Sequence, residues 1–386
     1  MQKRFALLFV ISISIFSFSC STNKKLANGD KPVEISSIKL LGEYNIPHNM
    51  NFKGTVVGGL SGIDYNVKSD EYYMICDDPS AYSPARYYTA KVYLKEKGID
   101  SVAFTDVTFL LNKDGKQYPD ITKDRIHSAD LESMRLNPSK NVMVYGTEGQ
   151  RHYKKDSVLE IQQPTVVIMD RNGTYKDSFE LPANMHYQTI EKGPRHNSVF
   201  EGLDFTDNYR YLFVNVEEPL YEDGLKAGLG DSTAWIRFIK FDTKTKKQVA
   251  QYAYKIDAVP FAPIPADAFK INGVSDIMSI GNNKFLVIER GYSKGRKPSD
   301  IRVYIADAGG AEDISNNPSI KAHPVQKPIT KKLLLDFNTL GLFVDNIEGV
   351  TFGPRLPNGH RSLVFVADNN FDPIQTTQFW LFEIVE

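Results

Sequence analysis

The chain has 386 residues, of which 41% are hydrophobic and 24% charged. This composition is typical of a globular protein with a large core and excludes a disordered chain. The formal net charge is −1 and no stretch is strongly basic, so we expect no nucleic-acid partner.

The N-terminus has the pattern of a bacterial lipoprotein signal. Lys3 and Arg4 precede an apolar stretch over residues 5–18, and Cys20 follows it. Such a segment is a secretory signal, and a cysteine directly after it is typical of lipid attachment. We expect Cys20 to carry the lipid. A plain cleaved signal is the alternative, because Ser17 stands where a lipobox has leucine.

These features divide the chain into three parts. We expect residues 1–19 to be a signal peptide, residues 20–34 a linker and residues 35–386 one folded domain. The only other cysteine, Cys76, lies in an apolar run. With Cys20 lipidated, no disulfide forms within the chain, and Cys76 is expected to be a small buried apolar side chain.

A four-residue pattern recurs five times, about 70 residues apart, which is typical of an array of similar units. An apolar residue is followed by Ser or Glu, then by Gly, Ser or Asp, then by another apolar residue. The copies lie at residues 60–63, 131–134, 200–203, 274–277 and 347–350. Each is followed, one hairpin later, by an acid: Asp77, Glu148, Glu217, Glu289 and Asp368.

Short apolar runs separated by Asn, Asp and Gly turns predict four strands in each of the first four units. The fifth unit supplies three, and residues 38–44 offer the missing outer strand. We therefore predict an all-β fold, a single β-propeller with five visible four-stranded blades (five or six in total), closed by the N-terminal strand in the last blade.

The long connections should all emerge on one face, since antiparallel strands return to the same end. Function is expected on that face. There the second residue of each pattern should meet the acid that ends the next strand. The expected pairs are Glu132 with Glu148, Glu201 with Glu217, Glu348 with Asp368, Ser61 with Asp77, and Ser275 with Glu289.

Carboxylates this close repel each other, so they either keep protons or share a cation. An all-oxygen set of ligands favours Ca²⁺ or Mg²⁺, and Ca²⁺ where flexible loops contribute. The eight acids of these pairs are thus candidate Ca²⁺ ligands. The alternative is structural, with acids capping turns or pairing with arginines between blades, among them Arg290 and Arg135.

His127 and His196 lie just upstream of two of these acids and are candidate bases or plain loop residues.

The sequence resembles the phytase-like family ("esterase-like activity of phytase") of secreted bacterial β-propeller proteins. The resemblance runs over about residues 50–385, through segments 59–63, 76–78, 130–132, 146–149, 200–203, 217–220, 289–291, 345–349 and 368–371. It implies hydrolysis of phosphate or carboxylic esters. Better-studied propeller phytases bind phytate with several Ca²⁺ ions, but few basic residues fall near the rim here.

We therefore expect a lipid-anchored, monomeric cell-envelope protein that hydrolyses a small phosphate ester with the help of Ca²⁺. Arg290 and Arg195 would contact the charge that develops on the phosphate. The alternative is a non-catalytic binding propeller for a glycan, peptide or protein of the envelope. A carboxylesterase with an unidentified nucleophile is a third hypothesis.

Overall fold

Five four-stranded antiparallel sheets make up most of the computed structural model. It describes residues 32–386, apart from residues 96, 155–156, 231–232 and 297–298 and the side chains of residues 153–159. The expected signal peptide and Cys20 lie outside the described residues. Within the described part, no helix has the length and apolar character needed to cross a membrane.

The strands follow the chain in blade order. The first segment contains β1 (Ser37–Asn45) and a short hairpin of β2 (Asn51–Phe52) and β3 (Thr55–Val56). Blade 1 contains β4 (Leu60–Asn66), β5 (Glu71–Cys76), β6 (Arg86–Lys95) and β7 (Gly98–Phe109). Blade 2 contains β8 (Leu131–Asn137), β9 (Val142–Thr147), β12 (Thr165–Asp170) and β13 (Tyr175–Ser178), and carries a hairpin of β10 (Gln150–Lys154) and β11 (Ser157–Gln162).

Blade 3 contains β14 (Phe200–Thr206), β15 (Tyr211–Val216), β16 (Trp235–Asp242) and β17 (Lys247–Lys255). Blade 4 contains β18 (Lys270–Gly281), β19 (Lys284–Ser293), β20 (Asp300–Asp307) and β21 (Thr330–Asp336). Blade 5 contains β22 (Asn346–Phe352), β23 (Ser362–Asp368) and β24 (Gln378–Val385). Three short 3₁₀ helices lie in the connections, at Ala183–Met185, Tyr221–Asp223 and Phe337–Leu340.

Strand β1 completes blade 5, where it pairs antiparallel with β24 from Ser37 opposite Val385 to Asn45 opposite Gln378. The predicted five-bladed propeller, closed by its N-terminal strand, is therefore confirmed, and the described strands form no sixth blade. Val33, ahead of the expected domain start at residue 35, is buried and donates its backbone N–H to the carbonyl of Ile280.

Apolar side chains fill the junctions between the blades. One buried cluster lies at each of the five junctions; that between blades 4 and 5 contains Trp380, Phe365 and Phe337. Burial of this area is the main force that stacks the blades. The small buried Cys76 belongs to the cluster between blades 5 and 1, as expected from the sequence.

The recurring sequence pattern marks a β-bulge in the innermost strand of every blade. The register shifts at Leu60–Gly62, Leu131–Met134, Phe200–Leu203, Val274–Asp276 and Ile347–Gly349. A bulge sets two residues against one and redirects the side chains beyond it. At the bulge the inner strands of neighbouring blades approach closely, which explains the glycine of the pattern. A Cβ on Gly202 would lie 2.5 Å from the backbone nitrogen of Ile277 in the next blade.

A buried arginine, Arg135 of blade 2, lies at the axis of the propeller and joins the five inner strands. Its Nη2 atom lies 3.0 and 2.8 Å from the two carboxylate oxygens of Asp276 in blade 4. It also donates to the carbonyls of Ile63 in blade 1 and Val350 in blade 5. Its Nε atom lies 3.7 Å from the carboxylate of Asp204 in blade 3. Arg135 thus has the structural, inter-blade role that the sequence offered as one alternative.

We expect Arg135→Met to cost about 3–5 kcal/mol of unfolding free energy, because it leaves the fully buried Asp276 without its cation. Urea denaturation measures the change. The double variant Arg135→Met/Asp276→Asn should be more stable than the single one, since no unpaired charge is left buried.

Arg210→Met is the matched control. Arg210 is 64% exposed in its ion pair with Asp242, so its replacement should cost less than about 1 kcal/mol. Equal losses for Arg135→Met and Arg210→Met would contradict the axial role of Arg135.

Candidate functional site

The strand register defines a ring of five equivalent side chains at the loop-bearing mouth of the propeller. In each blade the first residue of the bulge pattern pairs with one residue of the second strand: Cys76, Thr147, Val216, Glu289 and Ala367. The ring residue follows directly: Asp77, Glu148, Glu217, Arg290 and Asp368. Four blades therefore place an acid at this position, and blade 4 places an arginine.

Carboxylates converge at this mouth in three groups. Within each group, one oxygen per residue lies within 4.8 Å of the others. The groups are Asp77, Glu348 and Asp368; Asp130, Glu132 and Glu148; and Glu148, Glu201 and Glu217. The structure thus brings together seven of the eight predicted acids. It adds Asp130, which the sequence analysis did not count although it stands directly before the pattern in blade 2.

Several of these oxygens are buried and lack a hydrogen-bond partner among the described residues. They are Oε2 of Glu148, Oε2 of Glu348 and both carboxylate oxygens of Asp368. The backbone N–H groups of Asn369 and Asn370 lie near enough to Asp368 to lower its pKa, although neither forms a hydrogen bond of good geometry. Glu148 and Asp368 are fully buried. A buried carboxylate oxygen without a donor is costly, so these three residues are candidate ligands of a cation.

Burial and mutual repulsion raise the pKa values of the acids. Burial, then the neighbouring Glu348, raises the pKa of Asp368 to about 8. Burial raises the pKa of Glu217 to about 7 and that of Asp130 to about 6. Burial and adjacent carboxylates also raise the pKa values of Glu132, Glu148, Glu201 and Asp77. Without a cation, part of the cluster therefore keeps its protons at neutral pH.

Arg290 is the cation of the ring and bridges its two neighbours. Its Nη2 atom donates to Oε1 of Glu217 in blade 3 at 2.9 Å, and Nη1 donates to Oε1 of Glu348 in blade 5 at 2.5 Å. Burial disfavours the charged guanidinium, but Glu348 and Glu217 outweigh it and raise its pKa. Gly273, opposite Arg290, leaves the space that the Glu217 side chain fills, since a Cβ there would lie 2.6 Å from its Cγ.

Glu289 lies apart from these groups, contrary to its predicted place in the ring. Successive strand residues face opposite ways, and Glu289 precedes the ring position by one residue. Its carboxylate accepts hydrogen bonds from the hydroxyl of Tyr254 and the backbone N–H of Asp257, and forms an ion pair with Lys331. Glu289 therefore has a full set of protein partners.

The two serines and Arg195 also differ from their predicted contacts. Ser61 donates to the carbonyl of Leu131, and Ser275 to that of Ile347, so each joins its blade to the next. The guanidinium of Arg195 donates to the carbonyls of Pro219 and Gly224 and lies over the ring of Tyr221. These contacts fix a loop.

A cavity of about 470 Å³ opens above the acids. Asp77, Glu132, Glu201, Glu217, Glu348 and Arg290 contribute to its wall. Three further basic groups line it: His196, Lys226 and Arg296. Partial burial, then nearby Arg125 and Arg151, lowers the pKa of His196, so its imidazole is neutral at pH 7. His127 instead is exposed and contacts Asp124.

The spacing of the carboxylates is compatible with a divalent cation held by oxygen ligands. Oxygens on opposite sides of Ca²⁺ lie about 4.6–5.2 Å apart, because each bond is about 2.3–2.6 Å long. The corresponding limit for Mg²⁺ is about 4.2 Å. The oxygens of each group lie within 4.8 Å of one another, a limit that falls inside the span of a Ca²⁺ site and is also compatible with the shorter span of Mg²⁺. The donors are all oxygen, as hard cations prefer.

Solved structures with a similar chain path include an exo-β-1,3-galactanase from Phanerochaete chrysosporium in complex with β-1,3-galactotriose (11% identity, TM-score 0.45, 89% of this chain and 67% of that one). A second structure of the same galactanase is also similar, and this chain spans 63% of its length. The periplasmic gluconolactonase of Pseudomonas aeruginosa is 11% identical (TM-score 0.33, 86% of this chain and 90% of that one).

A β-1,3-galactosidase with galactodeoxynojirimycin is 10% identical (TM-score 0.46, 88% of this chain and 94% of that one). No curated protein matches the chain. The family model for phytase-like proteins, described as "Esterase-like activity of phytase", matches residues 55–371. That span includes all five inner strands and every acid of the mouth, and the chain therefore belongs to the phytase-like family.

Proposed function

We propose that the acidic mouth binds Ca²⁺ and hydrolyses a phosphate ester. The observation that carries this proposal is the set of three carboxylate groups, each of which contains at least one buried oxygen without a donor among the described residues. Glu132, Glu148, Glu201, Glu217, Glu348, Asp368, Asp77 and Asp130 would hold the cation or cations. Bound Ca²⁺ would polarise a phosphoryl oxygen and offset the negative charge that develops on it.

The basic groups of the cavity would position the substrate. Lys226, which forms an ion pair with Glu218, and Arg296, whose Nε donates to the carbonyl of Ala262, line the wall above the acids. Their remaining N–H groups would contact phosphate oxygens by charge-assisted hydrogen bonds.

Arg290 acts against the rise in the pKa values of Glu217 and Glu348 that burial causes, and so favours the ionised forms that a cation would bind. Its Nε–H has no partner among the described residues and remains able to donate.

His196 is the proposed general base. Its neutral imidazole accepts a proton from water as the water oxygen forms a bond to phosphorus. The ester P–O bond then breaks, and the leaving alkoxide takes a proton from the imidazolium or from solvent. The products are inorganic phosphate, or a phosphomonoester, and an alcohol.

We further propose that Cys20 anchors the protein to the bacterial cell envelope. The support is the charged and apolar N-terminal segment that ends at this cysteine. Metabolic labelling with an alkyne fatty acid should mark the wild-type protein and leave Cys20→Ala unmarked. Equal labelling of both proteins would refute the anchor.

Ca²⁺ should raise the melting temperature of the wild-type protein by several degrees. At 100 times the dissociation constant, one bound ion contributes about 2.7 kcal/mol. The variant Glu148→Gln should lose most of this shift, because Glu148 belongs to two of the three carboxylate groups. Differential scanning calorimetry in EDTA and in CaCl₂ measures the shift.

Two variants control this experiment. Glu180→Gln removes an exposed acid of an ion pair with Lys247 and should keep the whole Ca²⁺ shift. Glu289→Gln should lower the melting temperature in EDTA, since it disturbs a buried network, and still keep the shift. Loss of the shift in Glu289→Gln alone would restore Glu289 to the metal site and contradict the present assignment.

The stability of the metal-free protein should depend on pH with a definite sign. The folded pKa values of Asp130, Glu217 and Asp368, about 6, 7 and 8, lie above the ordinary values of these groups. Their contribution is therefore complete below about pH 4 and is lost progressively as the pH rises from about 4 to 8, through the folded pKa values. In EDTA the melting temperature should fall over this interval, and the gain from Ca²⁺ should grow.

Turnover tests the catalytic part. The Ca²⁺-loaded protein should release phosphate from phosphomonoesters, and His196→Gln should lower kcat about 10²-fold or more while Ca²⁺ binding stays unchanged. A panel of phosphate and carboxylic esters gives the readout. Ca²⁺ binding without turnover of any ester would favour a non-catalytic binding propeller.

A further inference from the structure

One side of the cavity rim is apolar and the opposite side is polar, a difference that restricts the kind of substrate that fits. Four large apolar side chains line the cavity and yet are exposed: Phe269 (57%), Tyr292 (42%), Phe343 (48%) and Ile374 (63%). The opposite wall, on the side of blade 3, is polar and contains His196, Asn197, Ser198 and Lys226.

The apolar residues all belong to blades 4 and 5. Tyr292 is on β19 and pairs with Ile271 of β18, and Phe269 directly precedes β18. The rings of Phe269 and Tyr292 lie 6.1 Å apart, centroid to centroid, so they form one continuous apolar surface. Phe343 precedes β22 and Ile374 follows β23 in blade 5.

The four apolar side chains lie directly above Arg290, the one basic residue of the ring. Arg290 and Tyr292 are two residues apart on β19, so both side chains point to the same side of the strand. Arg290 reaches across to Asn346 and Glu348 of blade 5, the blade that carries Phe343 and Ile374. A ligand whose anionic group sits at Arg290 and the carboxylate-bound cation would therefore place its other end on these apolar side chains.

From this arrangement we infer that the substrate is an amphiphile, a phosphate ester of an apolar alcohol. The inference rests on the proposed function and specifies its substrate class. Exposed aromatic side chains beside a polar cavity are costly to leave in water and are typical of ligand-binding surfaces. The concave position of the four residues inside the cavity wall favours a bound small molecule over a flat membrane contact.

Isothermal titration with octyl phosphate and methyl phosphate tests the inference. In CaCl₂ the wild-type protein should bind octyl phosphate at least about tenfold more tightly than methyl phosphate, because part of the alkyl chain is buried. Phe269→Ser/Phe343→Ser should remove this difference and leave the affinity for methyl phosphate unchanged. Glu148→Gln should weaken the binding of both.

The control is Leu333→Ser, which replaces a side chain of the same exposure (48%) on the outer strand of blade 4. It should leave both affinities unchanged. Melting temperatures of the rim variants should stay near that of the wild type, since the replaced side chains are about half exposed.

Equal affinities for the two phosphates would overturn the amphiphile inference and leave phosphate-ester hydrolysis standing. Octyl phosphate bound equally well in EDTA would also overturn it, since the apolar surface would then act without the charged site. Vesicle binding lost in Phe269→Ser/Phe343→Ser, together with equal phosphate affinities, would assign the rim to a membrane contact. If neither phosphate binds, the inference and the proposed function fail together.

Discussion

The ion pair between Arg135 and Asp276 at the axis is the interaction on which the arrangement of the blades depends. Apolar clusters join each blade only to its neighbours, whereas Arg135 contacts inner strands of non-adjacent blades. A single guanidinium serves three inward acids there. Burial raises the pKa of Asp64 to about 7 and that of Asp276 to about 6, and Arg135 acts against this rise. The axis is thus filled by a charge network that fixes how the five sheets meet.

The same bulge supplies both the axis and the mouth. In each inner strand the second residue of the pattern faces the mouth or the next blade, as Glu132 and Ser61 do. The third approaches the axis, where Gly202 has no room for a side chain and Asp276 meets Arg135. Arg135 lines a second cavity together with Asp64 and Asp204, and the acidic cavity at the mouth is separate from it. Ligands can enter the acidic cavity from the loop-bearing face.

Much of this was predictable because the chain repeats itself. Strand periodicity and the five copies of the pattern predicted the blades, their closure by β1, and the meeting of Glu132 with Glu148 and of Glu201 with Glu217. The predicted place of Glu289 in the ring is wrong, because Glu289 stands one residue before the ring position on its strand. The neighbouring residue, Arg290, occupies it, and a one-residue error in register exchanges the two faces of a strand.

Other features of the site could not be predicted, since they depend on contacts between distant segments. Asp130 joins the carboxylate group of Glu132 and Glu148, and its carbonyl accepts a hydrogen bond from the backbone N–H of Glu148. Arg195 looked available from its position near the rim, but the carbonyls of Pro219 and Gly224 and the ring of Tyr221 take its guanidinium. Sequence spacing locates a side chain along the chain, but it does not reveal which loop groups form hydrogen bonds with that side chain.

The contrast between Glu289 and Glu148 is the strongest argument that the mouth is built for a ligand. Both carboxylates are buried within the same propeller. Around Glu289 the chain supplies Tyr254, Asn272 and Lys331, so every requirement of the charge is met. Glu148 has one donor, the backbone N–H of Val199 at Oε1, whereas its Oε2 has none among the described residues and faces further acids. The same fold can therefore supply enough donors to pair a buried carboxylate completely, as it does for Glu289. This contrast supports the proposal that a cation binds at the mouth, where the clustered acids cost stability as long as no cation is bound.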